Sequence, residues 1–297
     1  MRLLVLFAAG WLGCATVHAL RGVPGGSALV GHVASSVGEV KLYRWTPTAA
    51  ALFATGGPKV VVIPEIGFDH RLVAPLCGKL RDSGFDVVTF DPPRGLRSFD
   101  DFVLAAAAAV ASRRGRVRLV AVGVGGEAAF DIARAGGASG IVAVDVPVWN
   151  EVGDVTLARA LADDLFDPRA WAASDRRATL LFGSADGAPE RAIARLERET
   201  VPVTPALAAD LADRLARHAP VELPEVRMRV FVSVADNWVE PEDALEMPHS
   251  TWRPRAARRL GRVELFLRDY GHLDWLASST ALDDVTPALV RALEALP

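Results

Sequence analysis

The chain alternates between two kinds of apolar run, and that alternation predicts an α/β architecture. Short, continuous runs rich in β-branched residues lie at Lys59–Ile63 (KVVVI), Phe85–Phe90 (FDVVTF), Leu119–Val122, Gly140–Asp145 (GIVAVD) and Arg227–Val234 (RMRVFVSV), with a last one at Val263–Leu267 (VELFL). A strand that is apolar on both sides of its pleat needs cover on both faces, which is the condition inside a mostly parallel sheet. Between these runs apolar residues recur at helical spacing over Leu72–Leu80, over Phe99–Ser112 and from Glu127 onward. Strand, helix, strand at this separation predicts right-handed parallel crossovers.

The punctuation fits the same plan. Ser83-Gly84 ends the first helix, and Ser98 is placed to cap the second, with Asp100 and Asp101 in its first turn, where negative charge suits the helix N-terminus. Thr286-Pro287 opens a final helix carrying Leu289, Val290, Leu293 and Leu296. Val40, Leu42 and Trp45, set among polar neighbours, predict an early strand over Val37–Pro47 near a sheet edge; residues 20–36, with Pro24-Gly25-Gly26-Ser27 at their centre, read as an irregular tether. Residues 149–220 change character, with helical spacing in 155–166, 189–199 and 204–217 and with Thr204-Pro205 as a helix start. The chain divides into an export segment (1–19), a first core part (20–148), a helical insertion (149–220) and a second core part (221–297).

Composition narrows the setting. With 297 residues and 51% hydrophobic content the chain can bury a large core, and a formal net charge of −3 without a basic block points away from nucleic acid and from anionic membrane surfaces as partners. Arg2 followed by the uncharged run Leu3–Gly13 resembles an export signal, ending either at Val17-His18-Ala19 or at the lipobox-like Leu12-Gly13-Cys14. Either route predicts an exported protein: periplasmic, secreted or a membrane-anchored lipoprotein, touching the membrane only through its N-terminus. An uncleaved anchor over Leu3–Leu20 is the plainer alternative. After export Cys77 has no partner for an internal disulfide.

The stretch Arg116–Ala135 (RVRLVAVGVGGEAAFDIARA) reads as strand, glycine-rich turn and helix, and it resembles the nucleophile elbow G-x-S-x-G of the α/β-hydrolase superfamily. Gly84–Gly95 is similar to that superfamily's G-(F/Y)-x-V-x-x-x-D-x-R-G strand, with one extra residue at Pro92-Pro93. Gly271-His272-Leu273-Asp274-Trp275 resembles the G-H-x-D-(F/W/L) ending of polyhydroxyalkanoate-synthase-like and acid-lipase-like members. The resemblance implies an α/β-hydrolase fold: a mostly parallel central sheet flanked by helices, with a helical lid insertion. Laid on Gly123–Glu127, the elbow puts Gly125 in place of the serine, and Glu127 reads as a helix-start residue.

The same resemblance implies His272 as the triad histidine and Asp236 as its acid, with Asn237 one register away and Asp186 as a competitor. It implies oxyanion donors at Ile66, Gly67 or Phe68 and at Gly126, no metal and no cofactor. The expected function is that of a binding protein or degenerate hydrolase of esterase/lipase-like lineage, without ordinary serine-hydrolase activity, taking a small apolar or acyl-type ligand. One alternative is an unconventional hydrolase or lyase using the His272–Asp236 pair to activate water or substrate. Another comes from Gly123-x-Gly125-x-x-Ala128 with Asp145 downstream, which also satisfies a Rossmann dinucleotide fingerprint.

Overall fold

A computed structural model of the protein describes residues 29–47, 57–146, 201, 203–216, 224–236, 256–267, 269–277 and 279–297. Its strands are β1 (Leu29–Ser35), β2 (Gly38–Trp45), β3 (Lys59–Ile63), β4 (Asp86–Asp91), β5 (Val117–Val122), β6 (Gly140–Val144), β7 (Arg227–Ser233) and β8 (Ala256–Leu260). They form one sheet in the order β1-β2-β4-β3-β5-β6-β7-β8. β2 runs antiparallel to both neighbours and every later pairing is parallel. The four residues Val60–Ile63 and their counterparts Leu119–Val122 and Ile141–Val144 are wholly buried, as continuous apolar strands in the middle of a parallel sheet must be.

Helices α1 (His70–Asp82), α2 (Phe99–Ala111), α3 (Glu127–Arg134), α4 (Pro205–Ala216), α5 (Asp274–Ala277) and α6 (Ser279–Glu294) cover the sheet. α1 packs with α6, and α2 with α3 and α4. The buried face of α2 includes Ala105, Ala106 and Ala109, small enough to let the helix lie close to the strands. Its start is set by Ser98, whose hydroxyl accepts the Asp101 amide at 3.2 Å. Thr204 does the same for α4, accepting the Leu207 amide at 3.1 Å.

β3 and β5 lie side by side, yet the chain leaves β3 toward β4 on one side and leaves β5 toward β6 on the other. The loops that follow these two strands meet at the carboxyl edge of the sheet, the crevice where open α/β sheets place their sites. This order differs from the 3-2-1-4-5-6 sheet of a dinucleotide-binding domain, so the Rossmann reading of Gly123–Ala128 falls.

Three other expectations are corrected. Residues 29–35 are not tether: they pair with β2 from Leu29↔Arg44 to Ser35↔Gly38, across a tight turn that uses Gly38 at φ 127°. The last strand is β8, AARRL, and not Val263–Leu267; that segment lies beyond it, with Val263, Leu265 and Leu267 exposed and Phe266 alone turned inward. The final helix starts at Ser279, seven residues before Thr286 on the chain. The apolar face Ala281, Leu282, Val285 and Leu289 runs through Pro287 and holds the helix together across it. Within 149–220, the described residues are 201 and 203–216, which hold α4; the rest of the insertion, with Asp186, and residues 1–28 and Asn237 lie outside the described residues.

Candidate functional site

The turn after β5 is built on Gly123, whose φ of 56° and ψ of −148° belong to a region that L-residues with a side chain rarely enter. A single 3-10 turn, Val124–Gly126, then leads into α3. A Cβ on Gly123 would stand 3.1 Å from His272 Nε2. A Cβ on Gly125 would instead strike the Pro64 carbonyl oxygen at 2.0 Å. The elbow position that faces the histidine is therefore Gly123, two residues earlier than the sequence register had it. The pattern G-x-S-x-G falls on Ala121-Val122-Gly123-Val124-Gly125, with Gly125 required by the close approach of the β3 loop. In either register the position that the resemblance gives to the serine is a glycine.

His272 is completely buried, and its Nδ1 lies 2.8 Å from Asp236 Oδ2. The contact is fixed from both sides: Asp236 follows β7, its amide bonded to the Ser233 carbonyl at 3.3 Å, and the Ala235 amide bonds the Tyr270 carbonyl at 2.9 Å, tying the two loops together. Asp236 and His272, far apart in sequence, are thus brought together where the superfamily resemblance expects an acid and a histidine.

What faces the other ring nitrogen is a carboxylate the sequence reading passed over. Glu65, in the loop after β3, is 1% exposed, and its Oε2 lies 3.1 Å from His272 Nε2. The same oxygen accepts the Val124 amide at 3.1 Å, while Oε1 accepts the Ile66 amide at 2.7 Å and the Gly125 amide at 3.4 Å. Three backbone N–H groups and an imidazole converge on one buried carboxylate. Its Oε2 is 1.5 Å from the Cβ position of Gly123, about a bond length, so Glu65 fills the space a seryl side chain would take. The available signal was an acidic residue two positions after the end of the strand KVVVI, at a point where a buried charge demands a partner.

Burial works against a charged imidazole, but Asp236 first and Glu65 second outweigh it, and the pKa of His272 is held well above its ordinary value. Each ring nitrogen faces a carboxylate oxygen, and with both carboxylates ionised the arrangement is satisfied on both sides when both nitrogens carry hydrogen.

Of the expected oxyanion donors, Ile66 alone points its amide at the anion. The Phe68 amide is spent on the Glu65 carbonyl at 3.3 Å and the Gly126 amide on the Gly123 carbonyl at 2.9 Å. Gly67, at φ 83°, turns the loop, and its carbonyl accepts the Val201 amide at 2.8 Å. Glu127 is buried at the start of α3 and bonded to Arg214 Nε of α4 at 3.3 Å, a contact between helices and not a part of the site. Asp145 ends β6 beneath His272, where its carboxyl accepts the Ser233 amide at 2.6 Å and the Trp275 indole N–H at 3.1 Å.

Among the described residues, two groups of side chains have ligand atoms close enough to share a metal ion, Asp145 with Asp236 and His272, and Asp69 with His70 and Asp91. The second group is committed to the protein itself. Asp69 caps α1 and binds Arg71, and Asp91 takes the His70 amide at 2.7 Å and the Tyr43 hydroxyl at 2.8 Å under a His70–Tyr43 ring stack. On the far side of the Glu65 loop, Ile66 and Phe68 line an apolar cleft closed by Leu96, Phe102 and Leu207.

No family model matches the sequence, and no curated protein matches it. Solved structures do. An esterase from Exiguobacterium antarcticum aligns with a TM-score of 0.66 at 13% identity, over 89% of this chain and 99% of its own. A thermophilic esterase from Thermogutta terrifontis aligns at 0.62 and 17%, over 90% and 98%. A bottromycin epimerase in complex with its bottromycin ligand aligns at 0.61 and 17%, over 89% and 99%. Likeness of this extent at such low identity establishes the α/β-hydrolase fold.

Proposed function

We propose that this chain is an exported α/β-hydrolase-fold protein of esterase/lipase-like lineage that does not carry out serine-type acyl transfer and acts as a binding protein for a small apolar or acyl-type ligand. One observation carries the reading: the Glu65 carboxylate accepts the Ile66 and Val124 amides, which are the donors an ester's developing oxyanion would need, while Gly123 offers no nucleophile. A fixed negative charge in that place repels a second one, so the site opposes the transition state it would otherwise stabilise. The apolar cleft beside Phe68 and Leu96 supports the ligand class. Fluorophosphonate labelling and chromogenic-ester turnover on the natural chain and on His272→Ala test it. Silence in both is expected; turnover that disappears with His272 overturns it.

The contact between His272 Nε2 and Glu65 Oε2 favours a second reading, an acid–base enzyme in which these two groups exchange a proton with a ligand. The epimerase among the structural neighbours shows the fold in a protein described as something other than a hydrolase. Under this reading, any turnover of a chromogenic ester falls equally in Glu65→Gln and His272→Gln.

A further inference from the structure

Val263, Leu265 and Leu267 are 67%, 95% and 67% exposed, and among the described residues they are the large hydrophobic side chains left in solvent. They alternate along the segment that follows β8, while Phe266 between them turns inward and meets Tyr270 edge to face at 6.5 Å. Leu265 is held at φ 69° and ψ 22°, the left-handed region that a side-chain-bearing residue enters at a cost. The core gains nothing from this arrangement. Apolar side chains kept in water on a strained backbone call for something outside the fold to receive them.

We propose that the tip Arg262–Leu267 is a membrane-docking element that inserts Val263, Leu265 and Leu267 into the surface of a phospholipid bilayer. Its backbone is prepared for an apolar medium, where an unpaired amide is costly. The Glu264 and Phe266 amides bond the Gly261 carbonyl at 3.0 and 3.4 Å, and the Leu265 amide bonds that of Arg262 at 3.1 Å. Asp269 Oδ1 accepts the Arg262 amide and Asp284 Oδ2 the Leu267 amide, each at 2.8 Å. A tip whose amides are already bonded to the protein loses little when water leaves it. Glu264, the acid inside the tip, is turned back on β8, where its carboxylate accepts Arg258 Nε at 2.8 Å and the Arg259 amide at 3.2 Å.

The local charge suits headgroup phosphate. Ala256–Leu267 carries Arg258, Arg259 and Arg262 against the single acid Glu264, with Arg262 exposed on the tip itself, and guanidinium groups beside an apolar tip are matched to a phospholipid surface. The chain's net charge of −3, averaged over 297 residues, hides this grouping. A protein partner, a second copy included, fits less well. Three aliphatic side chains with no other exposed large hydrophobic residue among the described ones fall short of the ~800 Å² per partner that a stable protein interface buries. Because β8 is parallel to β7, the tip leaves the sheet at the same edge as the loop carrying Asp236, so docking turns the edge that holds the site toward the lipid. The inference stands whether or not the site binds an acyl-type ligand.

The test places an environment-sensitive nitrobenzoxadiazole dye on Leu265→Cys in the full chain, with Cys14→Ser so that the buried Cys77 is the other thiol present. Vesicles of equal parts phosphatidylcholine and phosphatidylglycerol are then added. The emission is expected to shift to the blue, while the same dye on Ser83→Cys, exposed at the far end of α1, is expected not to move. Adding Val263→Ser and Leu267→Ser to the labelled chain is expected to raise the lipid needed for half the shift by about tenfold, with the melting temperature unchanged. No shift at position 265, an equal shift at position 83, or an unchanged lipid requirement overturns the proposal. So does a blue shift that grows with protein concentration in the absence of lipid, which marks a second copy as the occupant. No ester or site ligand enters the measurement, so its failure is distinguishable from failure of the proposed function.

Discussion

Glu65 Oε2 lies 3.1 Å from His272 Nε2 and 1.5 Å from the place where a side chain on Gly123 would begin. A carboxylate from the end of β3 thus stands where a nucleophile from the end of β5 would stand, and the two cannot share the space. Gly123→Ser alone is expected to lose ~1–3 kcal/mol to its backbone conformation, to clash with Glu65 in addition, and to remain unlabelled by fluorophosphonate. Glu65→Ala/Gly123→Ser is expected to gain labelling that disappears with His272→Ala. Gly125→Ser, in contact with Pro64, should gain none in either background.

Stability should fall as the solution becomes alkaline. His272 has a raised pKa in the folded protein, so its contribution is complete below the ordinary value of 6.5 and is lost as pH rises through the folded value. Asp145 keeps its proton up to about 8 while the unfolded chain releases it near 3.8, so stability declines between those values as well. Asp86 and Asp91 act oppositely. Burial opposes their charge, but Arg44 and Arg113 on Asp86 and His70 on Asp91 hold both pKa values below 3.8, and that stability is lost in acid. From these groups, the melting temperature peaks between 3.8 and 6.5. Asp145→Asn flattens the decline toward pH 8, and His272→Gln flattens the part above 6.5; melting curves against pH check both.

Asp86 is held by Arg44 at 2.8 Å from β2 and by Arg113 at the end of α2, which closes the N-terminal side of the sheet. Asp86→Asn leaves the largely buried Arg113 without its anion, and denaturant unfolding is expected to show a loss of about 3 kcal/mol.

Leu265 sits at φ 69° with 95% of its surface exposed, so it has strain without packing to offset it. Leu265→Gly is expected to raise the unfolding free energy by roughly 1 kcal/mol, with no change at His272. A loss of stability in that variant would mean that the side chain packs against something.

The central strands were legible because burial on both faces leaves no polar residue in them: Val60–Ile63, Leu119–Val122 and Ile141–Val144 announce themselves. β1 and β8 were not, because an edge strand needs apolar residues on fewer sides, and AARRL carries more charge than VELFL, the better-looking strand beside it. The pairing of His272 with Asp236 could be anticipated from Gly271–Trp275 and from an acid after a late strand. The elbow register could not. Gly123-Val124-Gly125-Gly126 offers several alignments, and backbone dihedrals together with the approach of Pro64 decide between them. Glu65 was hidden for a related reason: its role exists only once β3 and β5 lie side by side, a relation between strands more than fifty residues apart.

The crowding of Gly123 by Glu65 also bears on how such a chain can change through descent. A serine gained at 123 meets an occupied site, and a Glu65 lost first leaves an anion cradle with nothing to attack from it. A serine with room around it at 123 therefore requires both positions to change. Two positions far apart in the gene are thereby bound into one unit of inheritance.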